Sequence, residues 1–351
     1  MNPAFRTIGI LKPLGWLYGG IMSVRNRWYD CGRLECHAFP LPVISIGNIT
    51  VGGTGKTPHT EYIVSLLKDS FRLAVLSRGY GRSTRGFIKS DAASDSNMIG
   101  DEPTQIRRHF PDITVAVCED RAEGIRKLDG HEAIVLDDAF QHRKVKPSLN
   151  ILLVNWKRNI LYDCVLPAGR MRENASGRIR ADIIIVTKCP AQLPESEMEA
   201  LAGQLAVRND QKVFFSAMQG GDIYPFMESV QVPSFQGRPL LGVTGIASPA
   251  PMQSDMERLS DKVEMMSFPD HHRYSNHDIS GILQKLESMG PDAVVLTTEK
   301  DAARLYSMQL PIGLAERIFI MPVSVRFLKD GDAFDRAVTD HVKSFNKQNH
   351  V

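Results

Sequence analysis

The sequence predicts an α/β protein: a doubly wound, mainly parallel sheet, a second smaller α/β lobe, and an apolar helix at the N-terminus. Three observations predict it. Short, continuous apolar runs alternate with helical stretches from residue 41 onward. A break at Gly220 and Gly221 is followed closely by Pro225, Pro233, Gly237 and Pro239. The first forty residues contain a nearly uncharged aromatic segment.

That segment comes first. Over residues 7–24 the only charge is Lys12, and the run carries Trp16, Leu17, Tyr18, Ile21 and Met22. Its longest uncharged stretch, residues 13–24, is well short of the ~20 residues that span a bilayer. Pro13 and three glycines weaken a spanning helix further, and no small-x-small cleavage site follows. Arg25, Arg27 and Arg33 follow at once. An apolar helix with basic flanks suits the cytoplasmic membrane interface, where anionic lipid attracts it. The alternative is a helix packed on the protein's own core. Residues 1–40 are therefore expected to form a membrane-associating segment.

Residues 41–220 read as the main domain. Val43–Gly47, Leu73–Ser77, 114–118, 133–136, 151–154 and Ile183–Thr187 are apolar throughout rather than alternating, as strands covered on both faces are. Helical stretches such as 59–67 and 102–109 lie between them. This order implies a parallel sheet with ligands at the carboxyl ends of its strands. Beyond the break, Leu240–Thr244, 293–298 and 318–322 read as strands of a smaller lobe, expected over 221–351, that closes over a cleft.

Bulk properties narrow the class. The chain has 351 residues, 43% of them hydrophobic and 23% charged, with a net charge of +2. These are ordinary values for a globular protein, and they do not point to nucleic acid. The five cysteines, Cys31, Cys36, Cys118, Cys164 and Cys189, are scattered without zinc or redox spacing. Reduced thiols are expected.

The first strand runs into Gly47-Asn48-Ile49-Thr50-Val51-Gly52-Gly53-Thr54-Gly55-Lys56-Thr57. Glycines let successive N–H groups turn inward around phosphate oxygens, and the helix that follows adds its positive dipole end. This is the phosphate loop of a P-loop NTPase, with Thr50, Val51, Gly52, Gly53, Thr54, Gly55, Lys56 and Thr57 around the nucleotide. Lys56 reaches the β- and γ-phosphates and Thr57 ligates Mg²⁺. One departure is Thr50, which stands where the strict pattern has glycine.

A carboxylate at a neighbouring strand end must hold the metal. Asp137 and Asp138 follow the apolar run 133–136, and either fits. His142, five residues past Asp137, is a phosphate contact or a surface histidine. Gly100-Asp101-Glu102-Pro103 opens a helix; Asp101 is a helix-start acid or, from its loop on the phosphate-loop edge, a partner of the substrate hydroxyl. Arg78, Arg82 and Arg85 surround one glycine-rich turn, and Arg170, Arg172, Arg178 and Arg180 surround another. Both clusters look built for an anionic partner. In Phe268-Pro269-Asp270-His271-His272-Arg273-Tyr274 the side chains of adjacent histidines seldom face the same way, so one of the pair is expected to act, as a hydrogen-bonding or acid–base group.

Taken in order, these motifs resemble the tetraacyldisaccharide 4'-kinases of lipid A biosynthesis. The match includes the loop through Pro58, S-R-G-Y-G-R at 77–82, G-D-E-P at 100–103, E-D-R at 119–121 and L-D-D-A-F-Q-H-R at 136–143. It continues with L-P-A-G-R-M-R-E at 166–173, F-P-D-H-H-R-Y at 268–274 and T-T-E-K-D-A at 297–302. Ala139 departs from the glycine expected after the paired aspartates. The resemblance implies transfer of the ATP γ-phosphate to the 4'-hydroxyl of a tetraacylated glucosamine disaccharide 1-phosphate, with Mg²⁺, on the cytoplasmic face of the bacterial inner membrane. It implies Asp101 as catalytic aspartate with His271 as its partner, and Lys56, Thr57 and Asp137/Asp138 as nucleotide and metal residues. It gives Arg78, Arg170 and Arg172 a target in the acceptor's 1-phosphate. A monomer is expected. The rival readings are a P-loop biosynthetic ligase or a regulatory GTPase acting on a soluble partner.

Overall fold

The computed structural model describes residues 9–270 and 272–349. In chain order the strands are β1 (Val43–Gly47), β2 (Leu73–Ser77), β3 (Ile88–Lys89), β4 (Thr114–Val117), β5 (Ala133–Asp137), β6 (Leu149–Asn155), β7 (Ile183–Thr187) and β8 (Lys212–Gly220). Then come β9 (Tyr224–Pro225), β10 (Leu240–Thr244), β11 (Val263–Ser267), β12 (Val294–Thr298), β13 (Ile318–Met321) and β14 (Val323–Phe327). The helices are α1 (Lys12–Asp30), α2 (Lys56–Leu67), α3 (Ser96–Ile99), α4 (Asp101–His109), α5 (Arg121–Arg126) and α6 (Glu195–Leu205). They continue with α7 (Ala250–Leu259), α8 (Asn276–Ser288), α9 (Glu299–Leu305), α10 (Ile312–Ala315) and α11 (Gly331–Asn349).

The larger sheet has the order β14-β8-β7-β6-β1-β5-β2-β4-β3. It is parallel from β8 to β4 and antiparallel at both edges. Strands β1, β2, β5 and β7 are buried at every position, which is why they read as unbroken apolar runs. Strand β1 is central. The chain leaves it towards β2 and later returns to place β6 on its other side, so a crevice opens at the carboxyl end of β1. The smaller sheet, β11-β10-β12-β13-β9, has its own core around Leu241, Val243, Val295 and Ile318.

The second lobe takes a different path from the expected 221–351. Strand β14 pairs antiparallel with β8, and α11 packs through Phe334, Val338 and Val342 into the core of the larger sheet. Spaced four residues apart, these three form one apolar stripe that only the first domain buries. Phe327 at the end of β14 joins the same cluster, against Tyr62, Phe214 and Phe334.

Candidate active site

The phosphate loop leaves β1 and closes at Gly55, whose φ of 86° caps α2. The departure at Thr50 has a local cause. Residues 49–51 pair with 170–172: Val51 N–H donates to Arg170 O and Arg172 N–H to Ile49 O, both at 2.8 Å, and Thr50 bridges Met171. Thr50 is thus extended and buried, where a β-branched residue fits; the left-handed turns are taken by Gly52 and Gly55. Two further contacts hold the loop. Thr187 Oγ1 donates to Thr54 O at 2.7 Å, and Asn48 donates to Thr54 Oγ1 at 2.7 Å. Behind it, His59 Nδ1 lies 2.7 Å from Gly55 O and Nε2 lies 3.0 Å from Ser216 Oγ. Burial pushes this imidazole down to about 4, so it is neutral.

Strand β5 delivers Asp137 and Asp138 beside the loop. Asp137 is buried and accepts from Thr60 Oγ1 at 3.0 Å. Burial, and next the charge of Asp138, push its carboxyl up to about 6. Asp138 turns left-handed at φ 50° and faces two cations, Lys56 at 3.8 Å and Arg172 at 3.7 Å. The positive φ falls on Asp138, so the methyl of Ala139 meets no backbone strain. The Thr57 hydroxyl and the two adjoining carboxylates would offer Mg²⁺ oxygen donors alone, which suits it, and a bound cation would offset both the burial and the repulsion that raise Asp137.

The arginines divide by role. Arg78, just past β2, and Arg170 are exposed, and Arg172 lies between Asp138 and Gln141. Others serve the scaffold: Arg82 pairs with Glu119, Arg178 binds the carbonyls of Leu205 and Ala175, and Arg180 pairs with Glu173 over the ring of Phe140. His142 accepts from the backbone N–H of Arg121 at 3.2 Å, and desolvation pushes it down to about 4. It is a half-buried, neutral acceptor rather than a freely exposed histidine.

Asp101 begins α4, presented by Gly100 at φ 94°. A side chain at Gly100 would lie 2.9 Å from Tyr80 O, so this turn presses against the glycine turn that follows β2, at the start of the Asp101 helix. The second lobe meets it there. Arg304 of α9 approaches Asp101 Oδ2 at 2.8 Å through Nε and Nη2, and Lys300 Nζ lies 2.9 Å from Glu102. Arg304 is itself anchored by the fully buried Asp301, which also accepts from Thr244, Gly245 N–H, Tyr274 and Thr298. This is the structural content of the T-T-E-K-D-A motif, to which sequence reasoning assigned no role.

The loop after β11 crosses the same cleft, where Arg273 donates to Gly81 O at 2.8 Å. His272 stacks on Phe268 and binds Asp278 at 3.1 Å, so it belongs to the lobe's framework. His271 lies outside the described residues.

Sequence reasoning also missed Lys188. It stands past β7 in a left-handed conformation, φ 58°, with its Nζ over Gly53. Desolvation, then Lys300, Arg158, Lys157 and Lys56, push its ammonium down from its ordinary value. Such a concentration of positive charge at the loop mouth awaits an anion.

Helix α1 forms the rim beside the arginine loop. Gly15 and Gly19 face inward, where added side chains would lie 2.9 Å from Val165 O and 3.2 Å from Asn174 Oδ1. Asn26 binds Glu173, and Arg143 pairs with Asp30. The opposite face leaves Leu14, Trp16, Leu17, Ile21, Val24 and Trp28 exposed. The helix thus has two unlike faces: a glycine seam packs on the protein, and an apolar stripe stays exposed. Thr7 and Ile8 of the segment lie outside the described residues. Among those described, no helix is long and apolar enough to cross a membrane.

The family described as Tetraacyldisaccharide-1-P 4'-kinase matches residues 8–343. The tetraacyldisaccharide 4'-kinase of Phocaeicola vulgatus is 40% identical over 97% of this chain and 96% of its own length. That of Bacteroides fragilis is 43% identical over 95% and 93%. A crystal structure of LpxK from Aquifex aeolicus in complex with ATP superposes with a TM-score of 0.74 at 29% identity, covering 95% of this chain and 98% of the other. With its phosphate loop, paired aspartates and cross-cleft Asp101 in place, the chain belongs to the tetraacyldisaccharide 4'-kinase family.

Proposed function

We propose that this chain transfers the γ-phosphate of ATP to the 4'-hydroxyl of a tetraacyldisaccharide 1-phosphate, acting as a monomer at the cytoplasmic face of the bacterial inner membrane. One observation carries the reading: the phosphate loop pairs through residues 49–51 with the arginine loop, and the apolar-faced α1 rests on that same loop. A water-soluble nucleotide site and a lipid-facing rim thus share one segment.

Lys56, Lys188 and the loop amides hold the triphosphate, with Thr57 and Asp137 or Asp138 holding Mg²⁺. The cation, when bound, neutralises charge on the β- and γ-phosphates. Asp101, steered by Arg304 and by His271, accepts the proton of the 4'-hydroxyl. The hydroxyl oxygen then bonds to the γ-phosphorus as the bond to the bridging oxygen of ADP breaks. Arg78 and the Arg170–Arg172 pair are the proposed partners of the acceptor's 1-phosphate and of the charge on the transferring group. The exposed stripe of α1 holds the acyl chains' membrane within reach.

The test is transfer from [γ-³²P]ATP to tetraacyldisaccharide 1-phosphate in mixed micelles with Mg²⁺, comparing wild type with Lys56→Ala. Labelled lipid from wild type alone is expected. Unlabelled lipid alongside intact ATP hydrolysis would redirect the assignment to a soluble acceptor.

A further inference from the structure

Three helices that carry active-site groups meet again at a second, buried point. His109, the last residue of α4, places Nδ1 3.0 Å from Glu61 of α2 and Nε2 2.7 Å from Glu299 of α9. Gln105 donates to both carboxylates, at 3.0 and 3.2 Å, and Tyr224 of β9 lies 3.2 Å from His109 and 3.4 Å from Glu299. Each ring nitrogen faces a carboxylate oxygen, and an ionised carboxylate only accepts, so with Glu61 and Glu299 both ionised both nitrogens carry hydrogen; burial pushes Glu61 up, and the contact with His109 opposes that. The ring is an imidazolium. The C-terminal end of α4 favours that charge as well.

The placement matters because of what else these helices bear. Asp101, Gln105 and His109 are spaced four apart and share one face of α4. Helix α2 carries Lys56 and Thr57, and α9 carries Arg304. We propose that His109 is a positioning residue, clasping Glu61 and Glu299 so that the Asp101 helix and the second lobe are set against the phosphate-loop helix. The inference rests on the reading of Asp101 as proton acceptor. It adds that the distance from the acceptor hydroxyl to the γ-phosphate is fixed two helical turns away.

Desolvation opposes the charge on His109, but hydrogen bonds and charge from Glu299 and Glu61 outweigh it and push the ring up to about 10. Glu61, Glu299 and Tyr224 are the titratable groups that face it among the described residues. Two carboxylates and an imidazole can also ligate a metal. Here the ring and Gln105 already engage Glu61 Oε1 and both oxygens of Glu299, so the clasp is favoured.

The test uses the full chain labelled with ¹⁵N-histidine, the His109 signals being assigned by their loss in His109→Gln. Both ring nitrogens are expected to be protonated at about pH 8.5, where a free imidazole is neutral. His109→Gln should lower kcat on the order of 10–100-fold, as misplacement of a reacting group does, while KM for ATP stays within about threefold. Should that variant not fold, Glu299→Gln keeps the shape, removes the charge, and should free one ring proton. Overturning results are a neutral ring at about pH 7, one equivalent of divalent metal lost with His109, or an unchanged kcat beside a lowered melting temperature. Asp101→Asn separates the two readings. If it keeps turnover while His109→Gln loses it, the base assignment fails and the clasp stands; the reverse pattern fails the clasp alone.

Discussion

Arg304 holds Asp101 from across the cleft, with two guanidinium nitrogens 2.8 Å from one carboxylate oxygen. Oδ2 is thereby occupied by a residue 203 positions away, and the carboxylate's rotamer depends on the second lobe. Removing Arg304 leaves Asp101 present but without this cross-cleft contact. Asp101→Ala should cost on the order of 10²–10⁴ in kcat with ATP binding largely kept. Arg304→Gln should cost on the order of 10–100-fold, and the double variant should be no slower than Asp101→Ala. Fully additive losses in steady-state kinetics would show that Arg304 acts independently of Asp101.

Lys188 is poised differently. Its neighbours in the crevice are cations, and the strained φ of 58° aims it over the phosphate loop. A polyphosphate converts mutual repulsion into attraction. Lys188→Ala should raise KM for ATP about tenfold, equivalent to roughly 1.4 kcal/mol, with kcat altered less. The exposed Lys157→Ala is the comparison. An equal, small effect from both would reduce Lys188 to general charge.

Asp137 links function to stability through pH. Its carboxyl is raised to about 6 when folded, above the ordinary value of 3.8, so the fold favours its protonated form. The stability this group contributes is complete below about pH 4 and is lost as pH rises through about 6. At about pH 8, without Mg²⁺, Asp137→Asn should therefore stabilise the protein by roughly 1–3 kcal/mol, and the gain should vanish near pH 4. Urea denaturation at the two pH values measures it. Transfer activity should fall at the same time, because the amide is a poorer Mg²⁺ ligand. A loss of stability at pH 8 would mean that the ionised carboxylate is not under strain there.

What was legible in the sequence is what is local along the chain. The runs that became β1, β2, β5 and β7 are buried on both faces, so their composition alone identified them. The phosphate loop and the Asp137–Asp138 pair each follow a strand directly, and spacing sufficed. Contacts between distant segments were hidden. Nothing near Thr50 says that Met171 pairs with it, and nothing near Asp101 announces Arg304 or, through His109, Glu299. The return of β14 to β8 was missed for the same reason: a five-residue strand with one buried position, Val325, carries no address. The apolar stripe of α11 signalled burial but not which sheet would supply it. For α1 the composition was clear, yet only geometry separated the glycine seam from the exposed stripe.

That stripe yields the last prediction. Leu14, Leu17, Ile21, Val24 and Trp28 recur every three or four residues on the outer face of α1, with Trp16 beside them. All but Leu14 line a groove of about 630 Å³ together with Arg25. Complete transfer of one such side chain from water is worth roughly 1.5–3 kcal/mol, so even partial insertion of several gives measurable affinity for a bilayer. Arg25 and Arg27 add attraction to anionic headgroups. Trp16→Ser with Trp28→Ser should release the protein from vesicles containing anionic phospholipid in a sedimentation assay. Because Gly15 and Gly19 make the intramolecular contacts, the melting temperature should move little. ATP binding should persist, and transfer to lipid presented in vesicles should fall more than transfer to a short-chain acceptor in solution. Unchanged sedimentation, with the fold intact, would show that the stripe serves a contact other than the membrane.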